Sequence, residues 1–247
     1  MRLKIPLTIA KWLLILCLPC LLLTASIWWA ANSHWLYTSG FARYDIAAST
    51  GLSEAELDNV AAGLIDYFNS GEEFVDIVLD KDGQPFELFT EEEILHFRDV
   101  KGLFRLDFNV LLGTGIYVAV YIVLSLLWRR PGYRRDLARA ILAGNVITLV
   151  LMLVLWLGTL LNFDQLFLLF HLISFSNEFW STEGYMLLLF PRDFWYDAAI
   201  YCAVATAVAA LILGMTAAGY LLFTRRTTLR QADSPVNMDN GERTDDG

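Results

Sequence analysis

Charge is scarce in this sequence. Asp, Glu, Lys and Arg make up 18% of the 247 residues, where soluble domains carry about 25%, so an ordinary water-facing surface is excluded. The formal charge of −9 comes from one acidic loop and an acidic tail, and it points to no nucleic-acid partner. Cysteine is limited to three residues. Cys17 and Cys20 have the CxxC spacing of redox and zinc sites, but they sit in an apolar run between Leu16 and Leu21, and Cys202 lies in another such run. They read as small apolar side chains rather than a disulfide framework. No HExxH, GxSxG or glycine-rich phosphate loop occurs, so the usual signatures of zinc hydrolases, serine hydrolases and nucleotide enzymes are missing. The middle of each apolar run holds no charge, which argues against an ion-coupled transporter or proton pump.

What is abundant is apolar surface: 56% of residues are hydrophobic and the mean hydropathy is +0.48. Four segments are long enough to cross about 30 Å of hydrocarbon at 1.5 Å per residue: Leu7 to Ala31, Phe108 to Trp128, Ala138 to Leu161, and Ala198 to Phe223. The first follows Arg2 and Lys4, as a signal peptide would. Its apolar run continues well past Lys11 and ends in Trp28-Trp29 rather than a small-x-small cleavage site, so it reads as a retained helix. Asn145, in the third span, reads as a helix-packing contact.

The sequence predicts an all-α membrane protein, a four-transmembrane-helix bundle with a small α+β extracytoplasmic cap between spans one and two. The divisions are 1–31 for span one, 32–107 for the cap, 108–128 for span two and 129–137 for a basic cytoplasmic link. Residues 138–161 form span three, 162–197 an aromatic outer interfacial loop, 198–223 span four and 224–247 a disordered cytoplasmic tail. Arg2, Lys4 and Lys11 flank span one, Arg129, Arg130, Arg134, Arg135 and Arg139 fill the link, and Arg225, Arg226 and Arg230 follow span four. Four spans bring all three clusters to one side, which the positive-inside bias assigns to the cytoplasm with both termini. Trp28, Trp29, Trp35 and Tyr37 read as an aromatic belt at the outer interface.

Within the cap, Ser53 and Glu56 have capping-box spacing, and Leu57, Val60, Ala61, Leu64, Ile65 and Phe68 follow at helical period. Phe74 to Leu79 and Gln84 to Phe89 read as strands around the turn Asp80-Lys81-Asp82-Gly83. Thr90 and Glu93 form a second capping box, opening a helix toward span two. The loop after span three is dense in Phe, Trp and Leu, broken by single polar residues. Exposed to water it would aggregate. It is expected to lie in the interface beneath the cap, around a pocket.

All three histidines fall on the outer side: His34, His96 and His171. His34 lies in the aromatic belt and is read as non-catalytic. His96 shares a helix face with Glu92 at i−4 and Asp99 at i+3, so a carboxylate can fix its tautomer. His171 stands in Phe170-His171-Leu172-Ile173, where an unpartnered imidazole is costly. Each alone is as consistent with a structural role as with chemistry. Together they can divide the work of general base and general acid. A zinc site from His96, His171 and Glu92 or Asp99 is the competing chemistry, without ligand spacing to support it. Ser174, Asn177, Trp180, Tyr185, Arg192 and Trp195 share the second loop and can line a site. Asn and Tyr can donate to an oxyanion and the indoles can shape an apolar pocket, although interfacial anchoring accounts for the tryptophans equally well.

Three stretches carry a resemblance: LFTEEEILHFRDVKGLF (Leu88 to Phe104), FHLISFSNEFW (Phe170 to Trp180) and LFPRDFW (Leu189 to Trp195). Together they resemble a family of bacterial four-span membrane proteins, the lipoprotein intramolecular transacylases. The resemblance runs from span one to span four and leaves out the tail from about Thr227. It implies an enzyme of the cytoplasmic membrane acting on a diacylglyceryl lipoprotein among membrane lipids, without metal or diffusible cofactor. The sn-2 acyl chain would move to the α-amine of the N-terminal cysteine, with His96 and His171 as the catalytic pair. A non-catalytic membrane protein that binds lipid or a partner through its acidic cap is the alternative.

Overall fold

Inside a bilayer a backbone finds no water to bond with, and a helix satisfies its amides internally. A computed structural model, describing residues 4–81, 83–127 and 131–232, turns each of the four apolar runs into such a helix. Arg2, Asp82, Trp128, Arg129 and Arg130 and the tail from 233 onward lie outside the described residues. In chain order the long helices are α1 (Lys4–Ala31), α5 (Glu91–Leu127), α6 (Pro131–Ser174) and α8 (Arg192–Ala232). Between α1 and α5 come α2 (His34–Arg43), α3 (Ile46–Thr50), α4 (Glu54–Asn69) and a hairpin of β1 (Val78–Lys81) with β2 (Gln84–Glu87). Between α6 and α8 come a 3-10 turn at Phe179–Ser181 and the short α7 (Tyr185–Leu189).

α1 lies against α5, α6 and α8, and α6 runs along α8. Leu14, Ile15 and Leu18 of α1 pack with Val118, Leu137 and Ala140 in the bundle interior, while most other leucines and valines of the spans face outward. Apolar packing gains little against lipid, so small and polar contacts help to hold the bundle. Ser26 Oγ meets Thr206 Oγ1 at 2.8 Å across α1 and α8. Asn145 is buried beside Gly214 of α8, its amide nitrogen donating to the Ile141 carbonyl at 2.8 Å.

A second core sits at one end of the bundle, and both inter-span segments build it. Phe41, Leu57, Leu64, Phe97, Leu189 and Phe194 are among its members. The second loop is therefore packed into the cap. Gly40 of α2 faces the ring of Phe194 so closely that a Cβ would overlap it. Both capping boxes form: Ser53 with Glu56 at the start of α4, and Thr90 with Glu93 at the start of α5.

Several boundaries differ from the sequence reading. The first strand begins at Val78 rather than Phe74, because its partner strand is only four residues long and pairs Val78 with Glu87. His34–Arg43 is a helix where only an aromatic belt was expected. Its Tyr37 is not interfacial: it is 7% exposed in the cap core, with its hydroxyl donating to the Ala31 carbonyl at 3.1 Å. Span three does not end its helix at Leu161. α6 bends at Asn162, whose backbone is extended (φ −162°, ψ 81°), and continues to Ser174. The Asn162 side chain accepts from the Gln165 amide at 3.1 Å and its nitrogen reaches Gln165 Oε1 at 3.2 Å, so a helix cap is built at the bend. α8 likewise starts at Arg192 instead of Ala198. The true connector is only 175–191.

Candidate active site

α5 supplies one wall of the site. At 37 residues it is about 55 Å long, far more than the roughly 30 Å of hydrocarbon requires. Its charged residues, from Glu91 to Asp107, all lie in the first half, and 108–127 carries none. The span is thus the second half, and the first half rises from it as a rod of the cap. Three glutamates in the first turn favour the positive end of the helix dipole. His96 projects from this rod, 6% exposed.

The second wall is the arm that α6 forms beyond Asn162. His171 projects from it, 7% exposed, its Nδ1 lying 2.7 Å from the carbonyl oxygen of Phe167 one turn earlier. A carbonyl only accepts, so Nδ1 carries the proton and Nε2 of the neutral ring keeps its lone pair. The two imidazoles face each other with centroids 6.4 Å apart and planes 21° from parallel. Phe175 stands edge-on to His96 at 4.8 Å, and Trp180 and Phe167 flank His171 at 4.7 and 4.2 Å. The pair is enclosed by aromatic rings, and the low polarity bears on protonation. Burial pushes the His96 imidazole down to about 4; the nearby His171 adds to the shift and Asp99 opposes it. His96 Nδ1 is buried without a hydrogen-bond partner.

Neither carboxylate expected to orient His96 does so by a hydrogen bond. Glu92 is exposed and makes no bond to the ring. Asp99 is half-buried one turn beyond His96, and its Oδ2 accepts from the Asn177 amide at 2.8 Å. Asp99 Oδ1 lies 3.6 Å from Arg98, which also approaches Glu73 at 3.9 Å. Asn177 and Trp180 therefore join the pair. Ser174 ends the arm, half-buried, one turn after His171. Trp195 reaches Phe167 at 6.4 Å and so touches the surround of His171 from α8. Tyr185 lies elsewhere, edge-on to Phe86 of the hairpin at 5.5 Å. Arg192 binds Asp164 and Asp193 at the foot of the arm, with its guanidinium 5.3 Å from the Phe163 ring. His34 lies 3.2 Å from Asp58 on the cap surface. Among the described residues no three His, Cys, Asp or Glu side chains gather as a metal site.

One residue with a larger part than the sequence suggested is Glu93. It is fully buried and does more than cap its own helix. Oε2 accepts from the Thr90 amide at 2.9 Å, and Oε1 accepts from the Met186 amide at 2.6 Å, the first turn of α7. Gly184 lies against this carboxyl so tightly that a Cβ would overlap it. Glu93 thereby ties the far end of the 175–191 connector to α5, while Asp99 ties the near end through Asn177. The capping box was the only sequence signal for Glu93; nothing local announced its second partner, 93 residues downstream.

Comparison with known proteins gives this arrangement a context. A family profile described as lipoprotein intramolecular transacylase Lit matches residues 12–195. The solved structure of the membrane-integral lipoprotein intramolecular transacylase Lit from Bacillus cereus is similar, with a TM-score of 0.74 at 18% identity, over 89% of this chain and 97% of that one. A variant of that protein with one histidine replaced by arginine gives 0.70, over 90% and 94%. An uncharacterized protein of Aquifex aeolicus (strain VF5) is 25% identical over 130 residues, 52% of this chain; the match spans 56% of the length of that relative.

Proposed function

The chain belongs to the lipoprotein intramolecular transacylase family, and we propose that it moves an acyl chain within a diacylglyceryl lipoprotein at the pocket between His96 and His171. The sn-2 ester is the donor and the α-amine of the N-terminal cysteine is the acceptor. The observation that carries this reading is the approach of two buried imidazoles, 6.4 Å between centroids, from α5 and from the arm of α6. At that separation both can serve one reacting centre.

The chemistry balances without a further reactant. The amine nitrogen attacks the ester carbonyl, a C–N bond forms, and the C–O bond to the glyceryl oxygen breaks. One proton leaves the amine and one joins the glyceryl alkoxide, so the products are an amide and a hydroxyl. Nε2 of His171 is suited to take the first proton, because its ring is held in the Nδ1-protonated tautomer by Phe167. Burial keeps the His96 imidazole uncharged near neutral pH, so the proton that His171 takes from the amine must be passed on to the glyceryl oxygen, a relay the facing His96 ring is placed to carry. An α-amine titrates near 7.7–8.0, so a neutral imidazole is an adequate partner. Ester and amine belong to one molecule, and holding them together can contribute about 7–11 kcal/mol. Phe175, Trp180 and Phe167 offer apolar walls for the acyl chains and keep water from the ester.

This reading places the chain in the cytoplasmic membrane, with the cap outside and both termini inside. The cluster Arg134, Arg135 and Arg139 at the end of the bundle away from the cap supports it. Arg135 there reaches the Thr224 carbonyl of α8 at 3.2 Å.

The test is co-expression with a model lipoprotein in a host lacking the activity. An internal acyl move leaves the mass unchanged, so fragmentation must locate the acyl group on nitrogen. His96→Ala and His171→Ala are expected to leave it on oxygen. Full conversion by both variants would remove the proposal.

A further inference from the structure

A substrate amine is mostly an ammonium ion below pH of about 7.7, and the walls around the histidines are aromatic and dry. Carrying a cation into such a place is costly unless an anion receives it. Asp99 is the carboxylate one turn from His96 on the rod, close enough to act on its protonation. It is half-buried, with 28% of its side chain exposed, so one side of it remains open to a ligand. Its position is fixed from the opposite wall, because Asn177 donates to Oδ2 at 2.8 Å. Arg98 stays 3.6 Å away, beyond hydrogen-bond length, and is shared with Glu73. The charge of Asp99 is therefore held in place and only partly balanced. Glu92, the other carboxylate on this face, is exposed, and Glu93 has both oxygens occupied by backbone amides.

We infer that Asp99, held by Asn177, is the binding site for the α-ammonium of the substrate's N-terminal cysteine and selects substrates with a free amino terminus. The inference rests on the proposed function, and it names what that reading leaves open, how the acceptor nitrogen is recognised. Asp99 takes no part in the bond changes. It holds the ammonium beside the imidazoles until a proton is removed. A lipopeptide whose amine is already acylated has no charge to offer and binds weakly.

The groups around Asp99 are His96 and Arg98 on α5, Tyr67 from the cap and Asn177 from the connector; Glu73 approaches Arg98, and His171 faces His96. The Tyr67 phenol is pushed up to about 12, mainly by burial, so it stays neutral through the range of interest. Burial lowers the pKa of both imidazoles, so they stay largely uncharged from about pH 6.5 upward, and the N-acetylated control removes pH effects that do not involve the amine.

The probe is a cysteinyl lipopeptide with two ether-linked chains, which cannot react, made with a free amine and with an N-acetyl cap. Affinities are measured on the purified full-length protein in detergent at about pH 6.5 and about pH 9, below and above the amine's pKa. The wild type is expected to prefer the free amine by roughly tenfold at the lower pH and by less than about twofold at the higher. Asp99→Asn keeps an oxygen for Asn177 but loses the charge, so the preference at the lower pH should vanish; Asp99→Glu should restore part of it. A wild type that binds both probes equally at about pH 6.5, or an Asp99→Asn protein that keeps the preference, overturns the inference. If Asp99→Asn does not fold, the wild-type ratio at the two pH values decides. Because the ethers cannot turn over, this result is independent of the acyl-transfer assay. Turnover of the ester without an amine preference sinks only this inference, whereas an ester left unmoved by the wild type sinks the function.

Discussion

Replacing Gly184 by alanine adds one methyl group, and the structure says where it goes: into the carboxyl of Glu93. The backbone is not the obstacle, since Gly184 is extended (φ 175°, ψ −168°), a conformation any residue adopts. A flexible carboxyl would ordinarily swing aside at little cost. Glu93 is fully buried and holds the Met186 and Thr90 amides, so it can move only by releasing one or both. Each hydrogen bond to a charged acceptor is worth about 1.5–3 kcal/mol. Gly184→Ala is therefore expected to destabilise the protein by roughly 2–4 kcal/mol, far more than a surface glycine replacement. Thermal unfolding in detergent, followed by tryptophan fluorescence, reads this loss, and hydrogen exchange at the Met186 amide reads its location. The decisive measurement is a double-mutant cycle. Glu93→Ala alone should cost about 2 kcal/mol or more by orphaning the buried Met186 amide and losing the part-buried bond from Thr90. With the carboxyl gone, Gly184→Ala should add less than about 0.5 kcal/mol, the tolerance for independent sites. If the methyl costs as much without Glu93 as with it, the latch argument is wrong.

Three further outcomes follow. His96→Ala and His171→Ala should each lower acyl transfer by at least about 100-fold, the lower range for general acid–base catalysis, with the melting temperature retained. The second prediction concerns pH. An unfolded imidazole titrates near 6.5 and the folded His96 near 4, so the unfolded chain takes the proton first. Stability should be flat above about pH 6.5, fall by roughly 3 kcal/mol as pH drops to about 4, and level off below. A His96→Leu protein with the same acid-side fall would show the loss to originate elsewhere. Asn162→Ala removes the cap at the bend of α6 and should cost about 1 kcal/mol, read as faster hydrogen exchange in 163–168 with the other spans unaffected.

How much of this was readable in advance depends on the range of the interactions concerned. The spans were legible because a membrane helix is declared by composition over twenty residues. Ser53 with Glu56 and Thr90 with Glu93 were legible because capping is a contact three residues long. The arm beyond Asn162 reads as loop in the sequence because Asn-Phe-Asp-Gln breaks the apolar run; the same Asn and Gln are the cap of a new helix. α2 is not legible in the sequence, because HWLYTSGFAR holds a glycine and several poor helix formers. It is held by the cap core, with Gly40 admitting Phe194, a contact 154 residues away. A separation of 93 residues likewise hides the second partner of Glu93. Glu92 and Asp99 were both put beside His96 by helical spacing, yet spacing cannot tell a solvated carboxylate from one tied across the pocket by Asn177.

The unbroken length of α5 has a mechanical consequence. A continuous helix bends most readily at a proline, a glycine pair or a lost hydrogen bond; the rod bearing His96 runs without a break into the span, and the pair Gly113 and Gly115 lies beyond it, within the span. Tilting the cap as a body would drag the helix above that pair with it. The compliance of the pocket therefore resides on its other side, in the elbow at Asn162 and the short tether from Phe175 to Gly184. A large two-tailed guest arriving from within the leaflet would meet one stiff jamb and one yielding one.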